Sequence, residues 1–210
     1  MLTKSKLAIL LSQLKGFSSP NVSAEQYMLE AEVAADILWN AYMKGDLEGR
    51  VSTDLGCGTG ILGIGALLLG AKKVWFLDKS EASLEVLRQN LAEIGQKVSV
   101  DLMEKSEIIY SDVNLFNKEV DLVIMNPPFG TKVRHADRVF LAKSMEVDAK
   151  VIYSVHKLTS KRFIDAFSRD NGYKVSEIMP YKLLLKQTMP WHKRKRHYIE
   201  VGCWRIVKNS

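Results

Sequence analysis

The stretch Val51-Ser52-Thr53-Asp54-Leu55-Gly56-Cys57-Gly58-Thr59-Gly60, continuing as an apolar run from Ile61 to Leu69, decides the fold. Its first five residues read as a strand, the glycines as a tight turn, and Ile61–Leu69 as a helix. A strand that passes through such a turn into a helix is the unit from which parallel α/β sheets are built. The pattern repeats downstream. Lys73–Asp78 predicts a second strand and Ser80–Ile94 a second helix, while Val98–Met103 and Ile108–Tyr110 read as strands. Val120–Met125 is continuously apolar, as expected for a parallel strand covered on both faces. Phe140–Met145 reads as a helix, Val151–Val155 as a strand and Ser160–Arg169 as a helix. Lys174–Met179, Tyr181–Lys186 and Ile199–Val207 are strand-rich. Upstream, Leu7, Leu10, Leu11 and Leu14 have helical spacing that Gly16 ends. Phe17-Ser18-Ser19-Pro20-Asn21 is a loop signal, and helical periodicity returns over Ala24–Met43. The expected fold is α/β: a Rossmann-like, doubly wound and mostly parallel sheet, with an antiparallel C-terminal edge and N-terminal helices. Residues 1–48 are expected to form a helical extension packed on a core of residues 49–210, one globular unit in all.

The 210 residues suffice for one such domain, and 47% hydrophobic with 26% charged residues argues against disorder. The longest apolar stretch, Ile61–Ala71, carries three glycines and is too short to span a bilayer. Gln13 and Lys15 interrupt the apolar run after Met1–Lys6, and no small-residue cleavage site follows, so the expected setting is the cytoplasm. Cys57 and Cys203 are far apart and make neither a disulfide framework nor a metal site. The net charge of +6 is compatible with a polyanionic partner. Its most concentrated part is Trp191-His192-Lys193-Arg194-Lys195-Arg196-His197.

Chemistry is expected where the parallel strands end. Glycines at 56, 58 and 60 let backbone approach a ligand closely. Asp54 just before them would repel a pyrophosphate. It suits the cationic amino-acid end of S-adenosylmethionine, directly or through water. Asp78 closes the second strand about twenty residues later, where an acid can take ribose hydroxyls; alternatively it is an N-terminal acid for the next helix. Asp112 could accept from an adenine amino group. Asn126-Pro127-Pro128-Phe129 follows the buried strand. The prolines fix the backbone and remove N–H donors, leaving carbonyls and the Asn126 side-chain oxygen to accept hydrogens from a substrate amino group. An amino nitrogen conjugated to a ring is a poor nucleophile. Holding its hydrogens favours pyramidalisation and aims its lone pair. Phe129 can stack on the base.

The run Val123–Lys132, together with Tyr153-Ser154-Val155-His156-Lys157, Glu25-Gln26-Tyr27 and His192-Lys193-Arg194-Lys195, resembles the methyltransferase-like protein five family and its archaeal relatives. The resemblance runs from about Leu14 onward. It implies a Rossmann-like S-adenosyl-L-methionine-dependent enzyme that makes N6-methyladenosine in small-subunit ribosomal RNA and works with a small zinc-binding activator subunit. It implies cofactor contacts at Gln26, Gly56, Thr59, Ile61, Asp78 and Asp112, to which Tyr27, Asp54, Gly58 and Asn126 are added as expected contacts. Catalysis falls to Asn126, Pro127, Pro128 and Phe129, with no metal. The chain departs from the family after Tyr27, where Met28-Leu29-Glu30 replaces a pair containing Pro or Thr, and at Thr59, where eukaryotic members often carry Cys. His156 and Lys157 are expected either as phosphate or base contacts or as a solvated loop pair. Lys193, Arg194 and Lys195, with Trp191 stacking, are expected to grip RNA phosphates unless they are only a solvated surface. Two other amino-group substrates fit the same chemistry, DNA adenine and protein glutamine. A non-catalytic RNA-binding protein that keeps the fold is a further alternative. An exposed strand edge near Val98–Met103 would be a docking place for the activator by strand addition.

Overall fold

A computed structural model of the chain describes residues 2–16, 29–128, 136–185 and 197–209. Among these residues seven strands form one sheet in the order β3-β2-β1-β4-β5-β7-β6. They are β1 (Val51–Leu55), β2 (Lys73–Asp78), β3 (Ser106–Tyr110), β4 (Leu122–Met125), β5 (Val151–Lys157), β6 (Tyr173–Leu185) and β7 (His197–Lys208). The first five are parallel, and β7 runs against both β5 and β6. β7 is the reversed strand and β6 lies outside it, so the C-terminal edge of the sheet is antiparallel, as expected. Pro180 is accommodated because β6 is the outermost strand on that side, where a missing donor costs no ladder bond.

Among the described residues six α-helices cover the sheet: α1 (Lys4–Ser12), α2 (Ala31–Met43), α3 (Ile61–Leu68), α4 (Glu81–Val98), α5 (Ala136–Glu146) and α6 (Lys161–Asp170). Alternation along the strands sorts them onto two faces. Val74, Phe76, Leu122 and Ile124 point into one apolar layer with Leu7, Leu11, Leu38, Ile64 and Leu87 from the first four helices. Leu77, Val123, Met125 and Ile152 point into the other, with Leu141, Met145 and Ile164 from α5 and α6. Trp204 and Ile206 complete that second layer. α2 and α3 touch so closely that a Cβ on Gly65 would lie 2.3 Å from the Leu38 side chain. A polar anchor holds the turn after α2 to the sheet. Asp46 accepts from the Tyr153 hydroxyl at 2.8 Å and from Arg205 Nε and Nη2 at 2.7 and 2.9 Å.

One expected strand is absent. Val98 is the last residue of α4, and Ser99 follows in the left-handed region at φ 56°. The Val100 N–H turns back to the Gly95 carbonyl, a Schellman-type close. Asp101 then accepts from the Met103 and Glu104 N–H groups. The alternation of Val98, Val100 and Leu102 imitates a strand, but only Leu102 of the turn residues is buried, and it caps the helix end. The open edge on this side is β3, so a strand edge near Val98–Met103 does not exist.

Candidate active site

Register alone brings the chemistry-bearing residues together. Leu55 pairs with both Leu77 and Met125, Asp78 with Tyr110, and Met125 with Ser154. The glycine loop, Asp78, Asp112, Asn126 and the His156-Lys157 pair thus emerge from neighbouring strand ends along one rim of the sheet. Open α/β sheets bind their ligands outside this rim.

The glycine loop is clamped onto β2, with the Gly56 and Cys57 N–H groups donating to the Leu77 carbonyl at 2.8 and 3.0 Å. Gly56 adopts φ +69° beneath Phe140 of α5, and an added Cβ would approach that ring to 2.8 Å. Gly60 adopts φ +91°, and its Cβ would lie 2.3 Å from Leu87. Neither position can carry a side chain without moving a neighbour, and both conformations are ones that L residues avoid. Gly58 sends its N–H to Asp78 Oδ2 at 2.8 Å, while the Ser80 N–H donates to Oδ1 at 2.9 Å. Each carboxylate oxygen retains capacity for a second donor. Burial pushes the Asp78 carboxyl above the usual carboxylate range, against the pull of these N–H groups.

Asp54 lies beneath the loop, 2% exposed, and accepts from the Gly63 N–H in the first turn of α3 at 2.8 Å. Desolvation by burial raises its carboxyl to about 7, and the neighbouring Asp78 charge adds to the rise. A buried acid in that state favours a cation brought beside it. Thr59 is buried at the loop, Ile61 starts α3 half-buried, and Asp112 is exposed. Asp112 Oδ1 accepts from the Asn114 backbone and side chain, so the acid also caps the short turn Val113–Leu115. This donor and acceptor set fits S-adenosylmethionine: an acid for ribose hydroxyls, a buried acid for an ammonium, and side-chain-free backbone between them.

Asn126 and Pro128 are half-buried and Pro127 is buried, directly after the fully buried β4. Phe129 lies outside the described residues, as do Gln26, Tyr27, Trp191, Lys193, Arg194 and Lys195. Lys157 is half-buried at the end of β5.

His156 is a correction. It was expected as a phosphate or base contact or a solvated loop residue, yet it is 1% exposed. Burial lowers its pKa to about 3, so the ring is neutral and offers a phosphate no charge to pair with. Nε2 shares a 2.6 Å hydrogen bond with Ser154 Oγ, and the ring meets Trp204 edge-on at 5.7 Å. Asp137 Oδ2 stands 3.8 Å from Nδ1, beyond hydrogen-bond reach, and does not overcome the cost of burying a charge. The sequence places His156 at a strand end, but the final inward-facing position of β5 is not distinguishable there from a loop.

Two structural contributors escaped the sequence reading. Phe140, expected only as a helical residue, covers Gly56. Asn90, on α4, is 1% exposed and bonded to the glycine loop. Its signal was available: Leu84, Leu87, Leu91 and Ile94 define an apolar stripe in which Asn90 is the polar member.

Among the described residues no helix is long and apolar enough to cross a membrane. The methyltransferase small domain family matches residues 29–151. The chain is similar to the ribosomal RNA N6-adenosine-methyltransferase of Danio rerio, at 31% identity over 94% of this chain and 95% of that protein. It is also similar to the enzyme of the same name from Drosophila melanogaster, at 30% identity over 96% and 94%. A solved structure from Pyrococcus horikoshii, of a protein proposed to be an RNA methyltransferase, matches with a TM-score of 0.87 and 42% identity, covering 100% of both chains.

Proposed function

From the premise that the chain belongs to the methyltransferase small domain family and is an S-adenosylmethionine-dependent methyltransferase, we propose that it methylates the N6 amino group of an adenosine in small-subunit ribosomal RNA. The observation that carries the reading is the Asn126-Pro127-Pro128 turn. It sits directly after β4 and one strand away from the glycine loop, so an amino group held there lies beside the cofactor cradle. The near full-length similarity to two ribosomal RNA adenosine methyltransferases supports adenosine as the target.

The cofactor supplies an electrophilic methyl group on a sulfonium. Gly56, Gly58, Thr59 and Asp78 would hold its nucleoside, and Asp54 its amino-acid end. The Asn126 side-chain oxygen and the Pro127 carbonyl accept the two N6 hydrogens. That draws nitrogen lone-pair density out of the ring and points it along the line of transfer. Phe129, next in sequence, stacks on the base. The adenine must be unpaired or flipped out to reach the turn. Once methylated, the nitrogen releases its proton readily, so no general base is required. His156, buried and neutral, is unsuited to that role.

The proposal extends to a small zinc-binding activator, docked by strand addition on β3 rather than near Val98–Met103. Among the described residues β3 pairs with β2 alone, and Tyr110 at its end is 63% exposed.

Purified small-subunit RNA is incubated with labelled S-adenosylmethionine and the chain, alone and with the zinc-binding subunit, and the nucleosides are analysed. N6-methyladenosine in either sample supports the reading, and Asn126→Ala should abolish most of it while cofactor binding survives. Label on DNA adenine or on protein glutamine instead would keep the chemistry and overturn the substrate. An Asn126→Ala variant with full turnover would overturn the mechanism.

A further inference from the structure

Asn90 lies midway along α4 with its side chain turned into the core beneath the glycine loop, a place where an unbonded amide is costly. Every polar function of that amide is engaged. Oδ1 accepts from the Lys15 backbone N–H at 2.8 Å, and Nδ2 donates to the Lys15 carbonyl at 3.0 Å and to the Thr59 carbonyl at 2.9 Å. Two carbonyl acceptors on one side and an N–H donor on the other leave a single orientation for the amide. Asn90 therefore imitates a strand partner for Lys15 and grips the loop at the same time.

The two ends of this bridge matter differently. The Thr59 carbonyl belongs to the peptide that leads into Gly60 at φ +91°, so fixing it fixes the turn from loop to α3. Lys15 follows the end of α1, shortly before the Gln26-Tyr27 pair in sequence. Its side chain is held along α4 as well, through Gln89 and Glu93, while Lys97 holds Gln13. No other residue among the described ones is shown to hydrogen-bond to both the N-terminal segment and the glycine loop.

We propose that Asn90 is a positioning residue for the cofactor. It holds the Thr59–Gly60 peptide in its binding conformation and ties that peptide to the backbone of Lys15 after α1, so that the loop is braced by one buried amide. The inference rests on the methyltransferase reading, and it concerns cofactor affinity rather than the chemical step. Leucine would fill the space of Asn90 but hold neither end. Aspartate would keep the acceptor for the Lys15 N–H, lose both donations and face the Thr59 carbonyl with a like partial charge.

The test measures S-adenosylhomocysteine binding by calorimetry, together with KM for S-adenosylmethionine, KM for RNA and kcat, in Asn90→Ala and Asn90→Asp. Thermal unfolding is recorded for both. Dissociation constants and KM for the cofactor should rise by about tenfold or more, a factor equal to about 1.4 kcal/mol. KM for RNA, and kcat at saturating cofactor, should stay within about threefold of wild type. A residue that only supported the core would lower the melting temperature and leave the cofactor constants of the folded protein unmoved. Wild-type cofactor affinity in either folded variant overturns the proposal. Asn90→Asp, isosteric with the native residue, carries the test if Asn90→Ala does not fold. Failure of the wild-type chain to bind S-adenosylhomocysteine would instead overturn the functional reading.

Discussion

Cofactor binding should be linked to the protonation of Asp54, with a pH dependence that this one residue controls. The carboxyl is 2% exposed and raised by burial to about 7. An α-amino group titrates at about 7.7–8.0. If the ionised carboxylate pairs with the ammonium of the ligand, affinity follows the product of the two populated forms. With an acid at 7, about a tenth of Asp54 is ionised at pH 6 and about seven-tenths at pH 7.4. Affinity for S-adenosylhomocysteine should therefore rise about sixfold over that interval, and fall again above about pH 7.4 as the ammonium is lost. At pH 6 binding should release close to one proton, read by calorimetry in two buffers of different ionisation enthalpy. Asp54→Asn keeps an acceptor for the Gly63 N–H but cannot ionise. Its affinity should be lower at pH 7.4 and flat between pH 5.5 and 7, with no proton released. Superimposable wild-type and variant curves below pH 7 would refute the assignment of Asp54 to the ammonium.

Gly60→Ala should destabilise the chain by about 2–4 kcal/mol in urea unfolding, combining the left-handed conformation with a Cβ placed 2.3 Å from Leu87. Asp46→Ala strips the partner from Arg205 and from the Tyr153 hydroxyl, and should cost about 3 kcal/mol by the same measurement. Relative to wild type, the urea stability of Asp54→Asn should improve as pH rises from about 4 to 7. That of His156→Asn should worsen as pH rises from about 3.5 to 6.5, each at about 1.4 kcal/mol per pH unit at most.

The strand-turn-helix at 51–69 and the acid at 78 were readable because parallel α/β units impose strong local patterns. A buried strand must be apolar throughout, and a loop under a ligand must lack side chains. The same logic puts Asn126 at the end of a parallel strand, on the rim where the structure has it. What failed was what depends on which way one residue faces. Val98, Val100 and Leu102 alternate as a strand would, yet the backbone closes a helix, because Ser99 accepts the left-handed region and Gly95 leaves room for the returning chain. His156 stands next to a lysine at a strand end, a pattern that suits a phosphate contact. Its ring faces inward only because Ser154 and Trp204, the second from another strand, form a pocket for it. Asn90 was passed over for the opposite reason, since a helix asparagine draws no attention until its acceptors, seventy-five and thirty-one residues away, are in view.

The two buried titratable groups on the rim act on stability with opposite sign. Asp54 ionises at about 7 in the folded chain and at its ordinary 3.8 when unfolded, so its contribution is full below 3.8 and is lost as pH rises toward 7. His156 takes its proton at about 3 when folded and 6.5 when unfolded, so its contribution is full above 6.5 and is lost as pH falls toward 3. Between 3.8 and 6.5 the unfolded chain gains a proton at the histidine and loses one at the aspartate, and the two slopes oppose each other. Neither group could be exposed to soften its effect: Asp54 sits under the loop beside the proposed ammonium site, and His156 is buried in the core at the end of β5. With both buried, these two contributions to stability oppose each other between about pH 3.8 and 6.5, whereas cofactor affinity is expected to follow Asp54 alone. Removing either group should therefore change how stability varies with pH, but only Asp54→Asn should also change how cofactor affinity does.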